Sequence, residues 1–320
     1  MITERLLSNH YRFNRDYIPN QMLPAQREAR ELFLSEIHDK EKYIRITECP
    51  SCGKDNFTKI SEIGRRYLPV EIVICDFCDF CFKSLVLNPE ANKYHYSKIS
   101  YTLRGKDNTE AAKEKLFEER VKLFAYPRYY FITNFLKLKP DEDLIVELGC
   151  NDGANLFPWY ENGFNVFGID LDPEIVEFGK KIGLNLIYEN SLTYDFGQRK
   201  PKLIILSHFL EHVEDVNKVL QRLYEVLMPD GFLFIEVPGI RSHGLRNPQM
   251  YFDIEHNYYF DLGSIERLLK KYLFKVICAD EYIRVLCTPE QNKYIPVCGD
   301  EHLSVNKIKA GFLKKFIDIM

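Results

Sequence analysis

The sequence predicts an α/β protein with a mostly parallel sheet that ends in an antiparallel C-terminal hairpin, preceded by a small cysteine-rich module. Three observations predict it. After Pro140, short apolar runs (Leu144–Leu148, Val166–Ile169, Leu186–Tyr188, Leu203–Leu206, Phe232–Val237) alternate with helical patterns at 154–162, 173–182, 214–227 and 263–272. Strands that are apolar throughout, separated by helices, belong to a parallel sheet covered on both faces. The last two runs, Phe274–Cys278 and Tyr282–Cys287, are joined only by Ala279, Asp280 and Glu281, a link too short for a parallel crossover. Finally, five of the nine cysteines fall between Cys49 and Cys81.

Composition sets the outer bounds. The 320 residues are 46% hydrophobic and 14% aromatic, enough for a large core, which excludes disordered and fibrous classes. Lys+Arg number 43 against 47 Asp+Glu, a net charge of −4. No basic stripe is available for phosphate-backbone binding, so nucleic acid is not an expected partner. No run of about 18 apolar residues is present, so no membrane span is expected. The opening MITERLLSNHYRFNRDY lacks the apolar stretch of a signal peptide. The cysteines then read as thiols or metal ligands rather than disulfides, and the expected compartment is the cytoplasm. Oligomeric state is not encoded in any pattern seen.

In chain order, residues 1–46 read as a helical leader, with a helix from Pro24 to Tyr43 carrying Ala29, Leu32, Phe33 and Ile37 on one face. Residues 47–105 form the cysteine module. Residues 106–139 are linker helices, with Leu116, Val121, Leu123 and Phe124 as their apolar face. Residues 140–289 form the sheet domain. The tail, 290–320, is expected to be helical from about Leu303.

Cys49-Pro-Ser-Cys52 and Cys75-Asp-Phe-Cys78 are paired thiols at the spacing that lets two sulfurs reach one ion. Together they supply a closed four-thiolate zinc site. Such a site has no open position for catalysis, so its role is structural. Cys81, three residues further on, is an alternative to Cys75 in the second pair.

In the sheet domain, Leu144-Ile-Val-Glu147-Leu-Gly149-Cys-Asn151-Asp152-Gly153 reads as a buried strand entering a tight glycine turn and then a helix. Glycines there let backbone approach a ligand closely. The turn has neither the third glycine of a dinucleotide fingerprint nor a Walker lysine, which weakens a phosphate-cradling role. The following strand ends in Asp170, a carboxylate placed to accept from ribose hydroxyls.

The stretches ELGCNDG (147–153), FGID (167–170), LSHFLEHVED (206–215) and LMPDGFLFIEVPG (227–239) resemble the class I S-adenosylmethionine-dependent methyltransferases. With the cysteine module and Tyr94-His-Tyr96-Ser97, the chain resembles the group that joins an N-terminal zinc-binding domain to a methyltransferase domain, typified by sugar C-methyltransferases. The resemblance implies a Rossmann-like sheet and S-adenosylmethionine as cofactor. It places Glu147, Gly149, Asn151 and Gly153 along the methionine and ribose side. It puts Asp170 on the ribose, Leu171 and Ser191 near the adenine, and Ser207 and His208 at the methionine portion.

Methyl transfer to a hydroxyl or acidic carbon also needs a group to remove a proton. The candidates are His208, His212 and the pair Glu255-His256 within Tyr251–Phe260. By the resemblance, His256 is the base and Glu255 a substrate ligand, with His212 a further catalytic candidate. Asp253 and Ile254 stand where that group often has Tyr and His. The expected function is methyl transfer to a small molecule, a nucleotide-linked sugar or related carbohydrate. The alternatives are an RNA or protein methyltransferase that binds its substrate through the zinc module, and a non-catalytic cofactor-binding subunit.

Overall fold

The computed structural model describes residues 1–18, 22–104, 109–244, 248–280 and 282–292. The helix expected from Leu303 lies outside the described residues. The strands run in chain order as β1 (Ile2–Glu4), β2 (Tyr43–Arg45), β3 (Phe57–Ile63), β4 (Pro69–Cys75), β5 (Cys81–Lys83), β6 (Leu85–Leu87), β7 (Leu144–Leu148), β8 (Asn165–Asp170), β9 (Leu186–Tyr188), β10 (Leu203–Ser207), β11 (Phe232–Glu236), β12 (Tyr258–Tyr259), β13 (Phe274–Ala279) and β14 (Arg284–Pro289). Seven of them form one sheet in the order β13-β14-β11-β10-β7-β8-β9. Its five inner and far strands are parallel, while β14 runs antiparallel to both β11 and β13. This is the Rossmann-like arrangement of a class I methyltransferase, with the expected hairpin closing one edge.

The covering helices follow the apolar periodicity. In α8 (Val216–Val226), Val216, Val219, Leu220, Leu223 and Val226 are buried, and the Asp215 carboxylate caps the first turn by accepting from Asn217 and Lys218 amides. The helices before it are α1 (Pro24–Glu36), α2 (Pro89–Tyr94), α3 (Tyr101–Arg104), α4 (Glu110–Arg120), α5 (Tyr126–Phe135), α6 (Phe157–Glu161) and α7 (Pro173–Lys181). After it come α9 (Pro248–Tyr251) and α10 (Leu262–Lys271).

The N-terminal region departs from the expected leader in two ways. The helix expected to reach Tyr43 stops at Glu36, because His38–Lys42 offers no apolar face and Asp39 caps a short 3-10 turn instead. Tyr43–Arg45 is then a strand, paired with β6. Residues 2–4 add an edge strand parallel to β3, so the leader is built into the cysteine module. The linker also differs. A wider π turn at Val121–Ala125 joins α4 to α5, which buries Phe117 and Val121 but leaves Leu116, Leu123 and Phe124 exposed.

The cysteine module and the sheet domain are joined by a shared sheet. The order β1-β3-β4-β5-β12 ends on Tyr258–Tyr259, which pairs antiparallel with Cys81–Phe82. Phe80 stacks on Tyr258 at 6.0 Å between centroids and lies 5.7 Å from Phe260, joining the two cores. Replacing Phe80 with Ala leaves a cavity in that shared core. The expected cost is about 3–5 kcal/mol, read by chemical denaturation as one cooperative transition with a lowered midpoint rather than the loss of one half alone.

Candidate active site

Strand β7 delivers Glu147 and then a turn in which Gly149, Asn151 and Gly153 all have positive φ (69°, 52° and 79°). Gly149 is required twice over, since a Cβ there would sit 2.5 Å from the Phe209 ring. The close helix packing that the missing third glycine would have supplied comes from Gly179 on α7, where a Cβ would meet the Asp152 carbonyl oxygen at 2.6 Å. Asp170, at the end of β8, holds this turn. One carboxylate oxygen accepts from the Asn151 amide at 2.8 Å and the other from the Asp172 amide at 2.9 Å. Each oxygen keeps a lone pair, and burial raises its pKa. Leu171 beside it is 65% exposed, an apolar face open to a planar ring.

Two cavities open at the carboxyl ends of these strands, where open α/β sheets bind ligands. The smaller, about 260 Å³, is lined by Glu147, Gly149, Asn151, Ser207 and His208 together with Arg120 and Arg128. The larger, about 690 Å³, is lined by His256, His208, Tyr251, Arg65, Arg128 and Arg284, among others. Phe124, Arg128 and His208 belong to both walls, so the cavities adjoin. Gly153, Asp170, Leu171 and Ser191 line neither one.

Glu147 is buried, with one oxygen accepting from Asn155 at 2.6 Å and the other without a partner. Burial pushes its pKa up to about 8, against the lowering influence of Asn155 and Arg128. An unpartnered buried carboxylate beside two arginines fits a zwitterion: an α-ammonium on Glu147 and an α-carboxylate toward the guanidiniums. The residues present therefore suit the methionine end of S-adenosylmethionine. Arg120 reaches Asn151 and Asp152 at 2.5 Å each, and Arg128 bonds Asn155 at 2.8 Å and pairs with Glu236. Neither arginine was legible in the sequence, since both sit on the linker helices and reach the site only through the fold.

Beside the other cavity, Glu255, expected as a substrate ligand, is engaged within the protein. Its carboxylate accepts from His95 at 3.2 Å and Ser100 at 2.6 Å and pairs with Arg104. Burial raises the group, but these three partners outweigh it and hold Glu255 well below the usual carboxylate range. It is a tie between the module and the segment 251–260. Asp253, at the position of a Tyr in the resembling group, accepts from the Glu255 amide at 3.1 Å and faces Arg65 at 3.5 Å. Lys83, fully buried, donates to the Ile254 carbonyl and braces the same segment. The sequence offered no signal for that lysine beyond a charge in an apolar strand.

The segment carries His256 to the cavity wall, 4.8 Å from the His212 ring centroid and edge-on to it. Burial, then the neighbouring His212, lowers the His256 pKa to about 4, so its imidazole is neutral near pH 7. His212 Nδ1 lies 3.0 Å from the Glu255 carbonyl oxygen. His208 follows β10 with a positive φ of 52° and is half exposed between the cavities. Among the described residues, Cys49, Cys52, Cys75 and Cys78 gather with all four sulfurs within 4.8 Å of one another. Cys81 instead lies buried in β5, outside the cluster.

Sheet order, glycine turn, strand-end carboxylate and paired cavities define the class I S-adenosylmethionine-dependent methyltransferases. A methyltransferase-domain family matches residues 119–279, half of the chain, and the chain belongs to that family. It is 25% identical over 258 residues to the C-methyltransferase NovU of Streptomyces niveus, covering 72% of this chain and 57% of that protein. It is 26% identical over 164 residues to a ubiquinone biosynthesis O-methyltransferase of Actinobacillus pleuropneumoniae, covering 47% and 58%. The chain thus spans under two thirds of the length of these curated relatives. A methyltransferase structure from Archaeoglobus fulgidus superimposes with a TM-score of 0.43 at 20% identity, covering 52% of this chain and 78% of that one. Among the described residues no helix is long and apolar enough to cross a membrane.

The Glu147 carboxyl gives a signed prediction. Its folded pKa near 8 lies above the ordinary carboxyl value of 4.5, so the folded protein binds the extra proton. Stability of the ligand-free protein therefore falls as pH rises from about 4.5 through about 8. Glu147→Gln removes this dependence, with a gain on the order of a few kcal/mol at pH 9 and none at pH 4. Denaturation midpoints across that range check it.

Proposed function

We propose that the protein transfers a methyl group from S-adenosylmethionine in the smaller cavity to a small acceptor in the larger one, and that the acceptor is a nucleotide-linked sugar or related carbohydrate. The observation that carries the reading is the shared wall: Phe124, Arg128 and His208 bound both cavities, so donor and acceptor meet across it. The likeness to a C-methyltransferase over 72% of the chain supports it.

The cofactor supplies a methyl group on a sulfonium, already activated for in-line displacement. What the chain provides is alignment and proton removal. Asp170 accepts from ribose hydroxyls, Leu171 and Ser191 border the adenine, and Glu147 with Arg120 and Arg128 orients the amino-acid end. Ser207 and His208 face the reacting end. His256, neutral and open to the larger cavity, takes the acceptor's proton, with His212 packed behind it. Arg65, Arg128 and Arg284 line that cavity; each is paired within the protein, to Asp253, Glu236 and Asp280, and a guanidinium has further donors to offer an acceptor carrying phosphate or another anion. The volume of about 690 Å³ lies within the usual range for small-molecule sites, about 300–1,000 Å³. Cys49, Cys52, Cys75 and Cys78 hold a structural zinc ion in this reading. It stabilises the module that, through β5, supports the acceptor wall.

Three measurements test the reading. Labelled methyl transfer to one of a panel of nucleotide-sugars is expected, and cofactor binding without transfer to any of them would leave a non-catalytic subunit. In calorimetric titration, Asp170→Ala should weaken S-adenosylhomocysteine by about 1.5–3 kcal/mol, on the order of 10- to 100-fold. Purified protein should hold one equivalent of zinc, lost with lowered stability in Cys52→Ser; a metal content unaffected by that change would remove the cysteine cluster as its site.

A further inference from the structure

Glu211 is buried to 1% exposure, yet neither carboxylate oxygen has a hydrogen-bond partner. A buried ionised carboxylate in that condition is costly unless something cationic satisfies it. Its surroundings are imidazoles. His208 Nδ1 approaches to 3.3 Å without hydrogen-bond geometry, and His212 Nε2 lies 3.9 Å away. One ligand atom each from Glu211, His212 and His256 fall within 4.8 Å of one another.

The imidazole of His212 is also oriented. Its Nδ1 sits 3.0 Å from the Glu255 carbonyl oxygen, so that nitrogen carries the proton and donates. The lone pair is thereby left on Nε2, the atom facing Glu211. Fixing the tautomer through the far nitrogen to a backbone carbonyl is the outer-shell pattern of metal-binding histidines. The backbone around the cluster is pinned as well. The Glu211 carbonyl accepts from the Asn257 amide at 2.7 Å, and the Asn257 side chain donates to the His212 and Val213 carbonyls at 3.1 and 3.0 Å.

We propose that Glu211, His212 and His256 bind a divalent first-row transition-metal ion at the wall of the larger cavity. Two histidines and one carboxylate occupy one side of such an ion and leave positions open. Ligand atoms on a common ion stand about 3.4 Å apart, so closure from the present spacing needs only a small rotation of the His256 side chain. His256 lines the cavity, so the open positions face whatever enters it. The ion would hold an acceptor through paired oxygens, such as vicinal hydroxyls or a hydroxyl beside a carbonyl. A bound ion would occupy the His256 lone pair, so His256 is the base only of the metal-free protein, and with the ion in place the proton would pass to His208 on the shared wall. This second role rests on the reading of that cavity as the acceptor's; the ion site itself rests on the geometry alone.

Manganese(II) is the suitable probe, because it favours nitrogen and oxygen ligands and leaves thiolate-bound zinc in place. Mn²⁺ titrated into zinc-replete protein, with free Mn²⁺ read by electron paramagnetic resonance, should show one saturable site per chain. Glu211→Gln and His256→Gln should each weaken it about tenfold or more, with S-adenosylhomocysteine binding in the same samples reporting that the fold is intact. No saturable site in the wild type, or a site of equal strength in both variants, overturns the proposal. Mn²⁺ binding without S-adenosylhomocysteine binding would uphold the ion site and sink the cofactor reading; the opposite result would do the reverse.

Discussion

The antiparallel pairing of Tyr258–Tyr259 with Cys81–Phe82 is the constraint on which the rest of the site depends. It makes one short segment, residues 251–260, both the last strand of the N-terminal sheet and a wall of the larger cavity. The Lys83 amide donates to the Asn257 carbonyl at 2.9 Å, extending the ladder past the strand. On its opposite side the segment donates to the backbone carbonyls of Glu211–Val213, through the Asn257 and Tyr258 amides and the Asn257 side chain. His256 therefore stands where it does because two sheets built from distant stretches of chain converge on it. The cysteine cluster sits beside β4 and β5 of that N-terminal sheet, and β5 is the strand on which Tyr258–Tyr259 pairs.

Three buried glutamates show how partner count separates roles that composition alone cannot. Glu255 is saturated by His95, Ser100 and Arg104, and a saturated carboxylate is a structural tie. Glu147 has one satisfied oxygen and one orphan, leaving it ready for a single ligand cation. Both oxygens of Glu211 lack a hydrogen bond, with only the imidazoles of His208 and His212 near one of them. Burial raises the proton affinity of each; what differs is the number and charge of the donors facing it.

Local patterns carried the sheet domain well. The continuous apolar runs placed β7, β9 and β10 within a residue of their observed bounds, since a fully buried parallel strand has no polar face to confuse its reading. The short Ala279-Asp280-Glu281 link disclosed the antiparallel edge for the same kind of local reason. What escaped depended on long-range pairing. Nothing near Ile2 announces a strand, because its partner is Phe57. Glu255 looked like a ligand because its partners lie 151 to 160 residues away on the module's helices. Arg120 and Arg128 carried no signal within the linker helices, and only the packing of those helices against the glycine turn brings them to the smaller cavity.

The central claim is that donor and acceptor occupy adjoining cavities that meet at His208. The most direct measurement is a crystal structure of the S-adenosylhomocysteine complex. The account predicts ribose hydroxyls on Asp170, the amino group on Glu147 and the sulfur directed at the wall formed by Phe124, Arg128 and His208. A ligand bound elsewhere, or one whose sulfur points away from the His256 cavity, would contradict it.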